Sequence, residues 1–232
     1  MKKTFLMLLI AFTASSLFAE IAVKNGEKIA FLGDSITALG ARKAPYMGYL
    51  HLVIDGLNRS GIKASMVPAG ISGHKSTQML ARVDKDVIKK KPQWMLLSCG
   101  VNDVWHEEEI KNGVDAAKFE RIYDMLLDEV QEALPGIRLI ILEPFVLHGK
   151  ATENTPEHPT RWEYFRDETP LRAVAARRVA ERHGAAFVPL QHLFDEACQL
   201  AEPAYWLHDG VHPTAMGHEL IAREWLKAFR QE

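Results

Sequence analysis

The chain has 232 residues, long enough to bury a full hydrophobic core, and its 47% hydrophobic and 25% charged residues are those of an ordinary globular protein. A formal charge of -2, with Lys and Arg scattered along the sequence, excludes nucleic acid as the main partner, because phosphate binding needs a concentrated basic surface. Nothing in the composition suggests disorder or internal repeats.

The first stretch differs from the rest. Lys2 and Lys3 precede an apolar run from Phe5 to Phe12, and small residues then lead through Ser15, Ser16 and Ala19 to Glu20, the pattern of a secretory signal peptide. Residues 1–19 are expected to be removed, with Leu17 blurring the cut, and residues 20–232 to form one exported domain, periplasmic or extracellular. The run falls short of the about 18 to 20 apolar residues that a membrane span needs, so no stable membrane insertion is expected after cleavage. Export permits a disulfide between Cys99 and Cys198. However, Cys99 ends an apolar strand and Cys198 lies in a helical stretch, so both read as unpaired hydrophobes.

From Lys28 onward strand-like and helix-like segments alternate. Lys28 to Gly33 is a short unbroken apolar run ended by glycine, a strand buried on both faces. Tyr46 to Asn58 carries Leu50, Val53, Ile54 and Leu57 at helical spacing, and Ser60-Gly61 ends it. Lys63 to Val67 reads as a second strand. Thr77 to Lys90 is a helix stopped by Pro92 before the strand Trp94 to Ser98. A helix containing Phe119, Ile122, Tyr123, Leu126, Leu127 and Val130 follows, then Pro135-Gly136 turns the chain into the strand Ile137 to Leu142. Thr169-Pro170 reads as an N-cap with proline in the first turn of a helix running to about His183. Ala186 to Val188 is the fifth strand, and the last helix starts at Thr214. This order predicts an α/β protein, a doubly wound three-layer α/β/α sandwich on a five-stranded parallel sheet.

Ligands of such sheets collect at the carboxyl ends of the strands. The first strand delivers Gly33-Asp34-Ser35, so Ser35 is a candidate nucleophile; the plainer alternative is an Asp-Ser helix cap. After the second strand come Ile71-Ser72-Gly73-His74, whose glycines suit either a turn or an anion-binding backbone. Gly100-Val101-Asn102-Asp103 follows the third strand, where a side-chain amide suits an oxyanion or, equally, a turn. His208-Asp209-Gly210-Val211-His212-Pro213 places a carboxylate and an imidazole within reach of each other. The set supplies a nucleophile, oxyanion donors and an acid-base pair, in the order Ser, Asp, His.

In these four blocks the chain resembles the SGNH hydrolases, also called GDSL esterases, and the match spans essentially the whole mature chain. The Gly-x-Ser-x-Gly elbow of α/β-hydrolases is absent. The resemblance implies a flavodoxin-like fold, Ser35 as nucleophile, His212 as base and Asp209 as its partner. It further implies an oxyanion hole of the Ser35 and Gly73 N–H groups with the Asn102 side chain, and no cofactor or metal. His74 is a departure, since many relatives carry an acidic residue there.

Several residues have two readings. Trp105 and Trp162 are candidates for stacking on a sugar ring; Trp206 reads as packing beside the His212 loop. The segment Glu143 to Asp167 is long, polar and proline-rich, and is expected to lie beside the cleft and to recognise the alcohol part of an ester through Trp162, Tyr164 and Phe165. Glu107-Glu108-Glu109 reads as a solvated helix face. His208, Asp209 and His212 lack the helical register of a catalytic zinc motif, and His218 reads as a surface or packing residue on the last helix. The expected function is a secreted serine esterase for small-molecule or oligosaccharide esters, with short acyl groups on carbohydrate favoured. A lysophospholipase or thioesterase-like lipid hydrolase and a non-catalytic carbohydrate-binding relative are the alternatives.

Overall fold

In the computed structural model, which describes residues 22–42 and 47–229, five parallel strands form one sheet. They are β1 (Lys28–Gly33), β2 (Ser65–Gly70), β3 (Trp94–Ser98), β4 (Arg138–Leu142) and β5 (Ala186–Val188), in the spatial order β2-β1-β3-β4-β5. Side chains alternate across each strand with a period of two. Ile29 and Phe31 of β1, Leu96 of β3 and Ile140 of β4 enter one core, while Ala30, Leu32, Leu97 and Ile141 enter the other.

Each core is closed by its own helices. The first takes α1 (Ser35–Gly40), α2 (Tyr49–Arg59), α7 (Gln191–Ala197) and α9 (Ala215–Ala228), with Trp225 stacked on Phe31 at a ring separation of 5.3 Å. The second takes α3 (Ser76–Asp86), α5 (Ala116–Ala133) and the later turns of α6 (Arg161–Arg182). The remaining helices, α4 (Val101–Ile110) and α8 (Pro203–Trp206), add Val101, Val104 and Trp206 to the first core. This is the three-layer α/β/α sandwich that the alternation of elements predicts. Cys99 and Cys198 are free and join opposite cores, so the sheet stands between them. No described helix is long and apolar enough to cross a membrane, and the expected leader, residues 1–19, lies outside the described residues.

Three boundaries differ from expectation for physical reasons. β2 runs to Gly70 and contains Pro68, opposite Phe31. A proline with no N–H to donate is tolerated there because β2 is an edge strand. The helix expected through Lys90 ends at Asp86 and gives way to a single tight turn, Ile88–Lys90, before Lys91 adopts a left-handed backbone at φ 51°.

The largest correction concerns α6, which starts at Arg161 with Thr160 as its N-cap and carries Pro170 in its interior. Thr169 is therefore not a cap; it is buried in the helix, and its hydroxyl has no protein partner among the described residues. The preceding turns persist because Phe165 is fully buried, Asn154 Oδ1 accepts the Trp162 N–H at 2.8 Å and Arg161 is paired to Glu108. Together these contacts outweigh the hydrogen bond that Pro170 removes.

His218 is not a surface residue but a core one, 4% exposed on α9, with its ring 5.8 Å from that of Tyr49 and no partner for Nδ1 among the described residues. Burial lowers its pKa to about 4. The unfolded chain takes up the proton near pH ~6.5, so this contribution to stability is present above that pH and is lost as pH falls towards 4. Urea unfolding at pH ~7 and ~4.5 should show His218→Phe losing roughly 2 to 3 kcal/mol less stability over that interval than the native protein. Equal losses would show that this imidazole does not titrate with folding.

Candidate active site

β1 and β3 are neighbours whose connections leave in opposite directions, so a crevice opens at their carboxyl ends. Ser35 enters it directly after β1. Gly33 makes this turn possible, because a Cβ there would come within 2.0 Å of Thr37 Oγ1. Asp34 caps α1 by accepting the Ile36 N–H at 2.9 Å, and Ser35 is the first helical residue. Ser35 Oγ lies 2.9 Å from His212 Nε2. Asp34 itself is buried, and desolvation pushes its pKa up to about 7 against the opposing influence of the Ile36 N–H and His212.

The His212 loop is built by Asp209. Its Oδ1 accepts the N–H groups of Val211 and His212 at 2.9 and 2.8 Å, and its Oδ2 accepts His212 Nδ1 at 2.7 Å. Since the carboxylate only accepts, Nδ1 carries the proton and Nε2 faces Ser35 with its lone pair. Burial raises the Asp209 pKa, but the bonds from the His212 ring, the His212 N–H and the Val211 N–H prevail and hold it well below the usual carboxylate range. The turn is pinched by a bridge between Leu207 and Pro213. It is also clasped by the segment after β4: Leu147 N–H donates to the Gly210 carbonyl at 2.9 Å and Ala151 N–H to the Asp209 carbonyl at 2.8 Å. Gly210 has φ 93°, and a Cβ on it would meet the Leu147 carbonyl at 2.5 Å.

Opposite stand Gly73 and Asn102. Gly73 has φ 78°, and its N–H, like that of Ser35, donates to no protein acceptor among the described residues. Asn102 is 5% exposed in the first turn of α4 and gives one amide hydrogen to the His74 carbonyl at 3.2 Å. His74 thus serves Asn102 through its backbone, while burial, with Arg82 adding to it, keeps its own imidazole pKa low. The expected nucleophile, acid-base pair and three oxyanion donors thus meet in one cleft of about 600 Å³, into which Trp105 also faces. The Trp105 ring is 6.3 Å from that of His212 and meets Phe165 edge-on at 5.8 Å.

Other candidates lie elsewhere. Trp162 is not among the residues lining the cleft; it packs at 5.1 Å against His148 at the start of α6. Phe165, expected to offer a flat face to a sugar, is fully buried. Trp206 is buried, with Nε1 donating to the Ala197 carbonyl at 3.0 Å, which agrees with packing. The solvated face expected of the three glutamates holds for Glu109, which is exposed, but not for Glu107 and Glu108. Glu107 accepts the Gly113 N–H at 2.9 Å, Glu108 pairs with His158 at 2.7 Å and Arg161 at 3.0 Å, and Glu109 lines the cleft.

Two supporting residues escaped the sequence reading. Arg82 on α3 donates to the carbonyls of Gly33 and Ala69, both at 2.8 Å, and so ties together the ends of β1 and β2. Nothing in its local sequence marks it. Asp103 is fully buried and accepts the N–H and hydroxyl of Ser76, which joins the start of α3, beyond Gly73, to the turn bearing Asn102. Its burial raises its pKa to about 6. The adjacent Asn102 was the available signal. Among the described residues, His208, Asp209 and His212 form the group with metal-ligand spacing, their donor atoms all within 4.8 Å of one another.

Comparison with known proteins identifies the family. Residues 31–220 match the GDSL-like lipase/acylhydrolase family. An acetylxylan esterase of Geobacillus stearothermophilus is 31% identical over 221 residues, covering 88% of this chain and 94% of that protein. The crystal structure of Axe2, an acetylxylan esterase from the same organism, superposes with a TM-score of 0.72 at 28% identity, over 91% of this chain and 97% of that one. A candidate GDSL-like lipase of Parabacteroides merdae gives a TM-score of 0.79 at 29% identity, over 90% and 98%.

The Asp103 contacts predict a measurable coupling. Asp103→Ala strands the Ser76 donors in the interior and should cost about 2 to 4 kcal/mol in urea unfolding. In a double-mutant cycle with Ser76→Ala the coupling should exceed ~1 kcal/mol. Additive losses would show that the two helix starts are held independently.

Proposed function

The chain belongs to the GDSL-like lipase/acylhydrolase family and is a carboxylic ester hydrolase, and from that premise we propose that it is an exported acetyl esterase acting on carbohydrate through an acyl-enzyme on Ser35. The observation that carries the chemistry is the 2.9 Å contact from Ser35 Oγ to His212 Nε2, in line with the 2.7 Å contact from His212 Nδ1 to Asp209. Crystal structures of the Geobacillus acetylxylan esterase with a serine or a histidine replaced, both described as catalytic mutants, support these residue types in the role.

On this reading His212 Nε2 takes the Ser35 proton as Oγ attacks the ester carbonyl. The resulting oxyanion is met by the N–H groups of Ser35 and Gly73 and by the second amide hydrogen of Asn102. Asp209, held ionised by its hydrogen bonds, stabilises the imidazolium. His212 then passes the proton to the departing alcohol, and water, deprotonated by the same imidazole, releases the acyl group.

The carbohydrate part rests on the acetylxylan esterase relative and on the cleft. Arg42, His106, Glu109 and His208 surround the entrance, a polar rim suited to sugar hydroxyls rather than an alkyl chain. Trp105, which reaches the cleft, replaces Trp162 as the aromatic surface beside the reacting ester. Export rests on residues 1–19 alone.

Ser35→Ala should abolish turnover of an aryl acetate and labelling by an organophosphate, with the circular-dichroism spectrum unchanged. Labelling that survives would place the nucleophile elsewhere. Asn102→Ala should lower kcat by about 10² to 10³ with little change in KM, because its donor acts mainly in the transition state. A substrate panel tests the rest: kcat/KM should be higher for acetylated xylo-oligosaccharides than for lysophospholipids or long-chain aryl esters, and the reverse order would favour the lipid reading.

A further inference from the structure

We infer that the turn carrying Asp209 and His212 is also a binding site for one zinc-class transition-metal ion, held by His208 Nε2 and Asp209 Oδ2, and that its occupancy silences the enzyme. His208 plays no part in the proton transfers above. Its Nδ1 lies 3.0 Å from the His212 carbonyl, which can only accept, so Nδ1 bears the hydrogen, and in the neutral ring Nε2 has a free lone pair. Nε2 stands 3.6 Å from Asp209 Oδ2. With the ring neutral, two lone-pair atoms face each other over that gap and repel, and either a proton on Nε2 or a metal ion between them relieves this; the metal must displace that proton to bind.

The spacing fits a metal ion. With zinc bonds to imidazole nitrogen and carboxylate oxygen of about 2.0 to 2.2 Å, a tetrahedral angle separates the two donors by about 3.4 Å. Donation of the other ring N–H to a backbone carbonyl is also the arrangement that orients metal-bound histidines. His212 supplies a third donor within 4.8 Å, and water completes the coordination. The ligands are held in advance, because Asp209 Oδ1 is fixed by two backbone N–H groups and the turn is closed by the Leu207 to Pro213 bridge. Imidazole with a single carboxylate selects Cu²⁺, Zn²⁺ and Ni²⁺ over Mg²⁺ and Ca²⁺, which prefer oxygen ligands.

Inhibition follows from a shared atom. Asp209 Oδ2 is the oxygen that accepts His212 Nδ1, so a metal on it competes with the bond that aims the imidazole at Ser35. A third bond from His212 would turn Nε2 away altogether. This consequence rests on the proposed role of His212, whereas metal binding does not.

The experiment uses the untagged full chain, dialysed against EDTA and titrated calorimetrically with zinc chloride, beside His208→Asn. Asparagine keeps an amide donor for the His212 carbonyl and removes the Nε2 ligand. One zinc per chain is expected in the native protein, with affinity lowered ~10-fold or more in His208→Asn, and magnesium should give no binding. Aryl acetate hydrolysis, each rate taken relative to the same protein without zinc, should fall with zinc at the calorimetric affinity, recover with EDTA and resist zinc in His208→Asn. No saturable zinc binding, or equal affinity in both proteins, overturns the site; binding that leaves turnover untouched overturns the silencing. An absence of turnover before zinc is added would count against the esterase mechanism, while the calorimetric comparison would still decide the metal site.

Discussion

A sheet buried on both faces leaves polar chemistry nowhere to go except its ends. β1 and β3 give every side chain of Ile29 to Leu32 and Met95 to Leu97 to one core or the other. Reacting groups are therefore carried past the last residue of each strand, where the ladder stops and backbone carbonyls lose their partners. The Gly33 carbonyl shows how this is resolved: it accepts from both the Ile71 N–H and Arg82. Those contacts satisfy the strand end and, at the same time, fix the position of the Gly73 loop relative to Ser35. Asp103 does the same between the starts of α3 and α4. Satisfying the sheet edge and aligning the proposed reactive groups are one structural task.

The carboxylates near Ser35 are sorted by their hydrogen bonds. Asp34 and Asp103 are the more deeply buried, and desolvation lifts them to about 7 and about 6. Asp209 is also partly buried, yet three donors keep it far below that range. The acid that remains ionised across the whole neutral range is thus the one bonded to His212. Had the donors been arranged around Asp34 instead, a full negative charge would sit beside the Ser35 backbone, opposing the oxyanion that the proposed mechanism forms there.

Features set by neighbours in sequence were the legible ones. Gly33-Asp34-Ser35 and Asp209-Gly210-Val211-His212 are closed by contacts spanning two or three residues, so their geometry follows from residue type and spacing. What depended on distant packing was not legible. Pro170 carries a strong local preference for a helix start, yet Phe165 and the Arg161 to Glu108 pair extend α6 two turns before it. The second strand, expected to end at Val67, continues through Pro68 because position at a sheet edge is a property of topology, not of a pentapeptide. Glu108 looked solvated because its partners, His158 and Arg161, lie about fifty residues away. Arg82 carries no motif at all: its role exists only once two strands end side by side.

The clasp around the His212 turn separates two things that active sites usually entangle. Leu147 and Ala151 hold Gly210 and Asp209 entirely through backbone atoms, and the close approach requires glycine at 149 and 210, where a Cβ would meet backbone at 2.5 Å. Thr152, whose hydroxyl accepts the Gly149 N–H and donates to the Leu147 carbonyl, closes the loop on itself. The side chains of Leu147 and Ala151 make none of these bonds. Residues at the tip, such as Glu153, Pro156 and Glu157, are therefore free to diversify without disturbing the imidazole, provided the two glycines and the threonine stay. Evolution, or a directed library, can rewrite the exposed tip of this segment while the Asp209 to His212 turn is inherited intact.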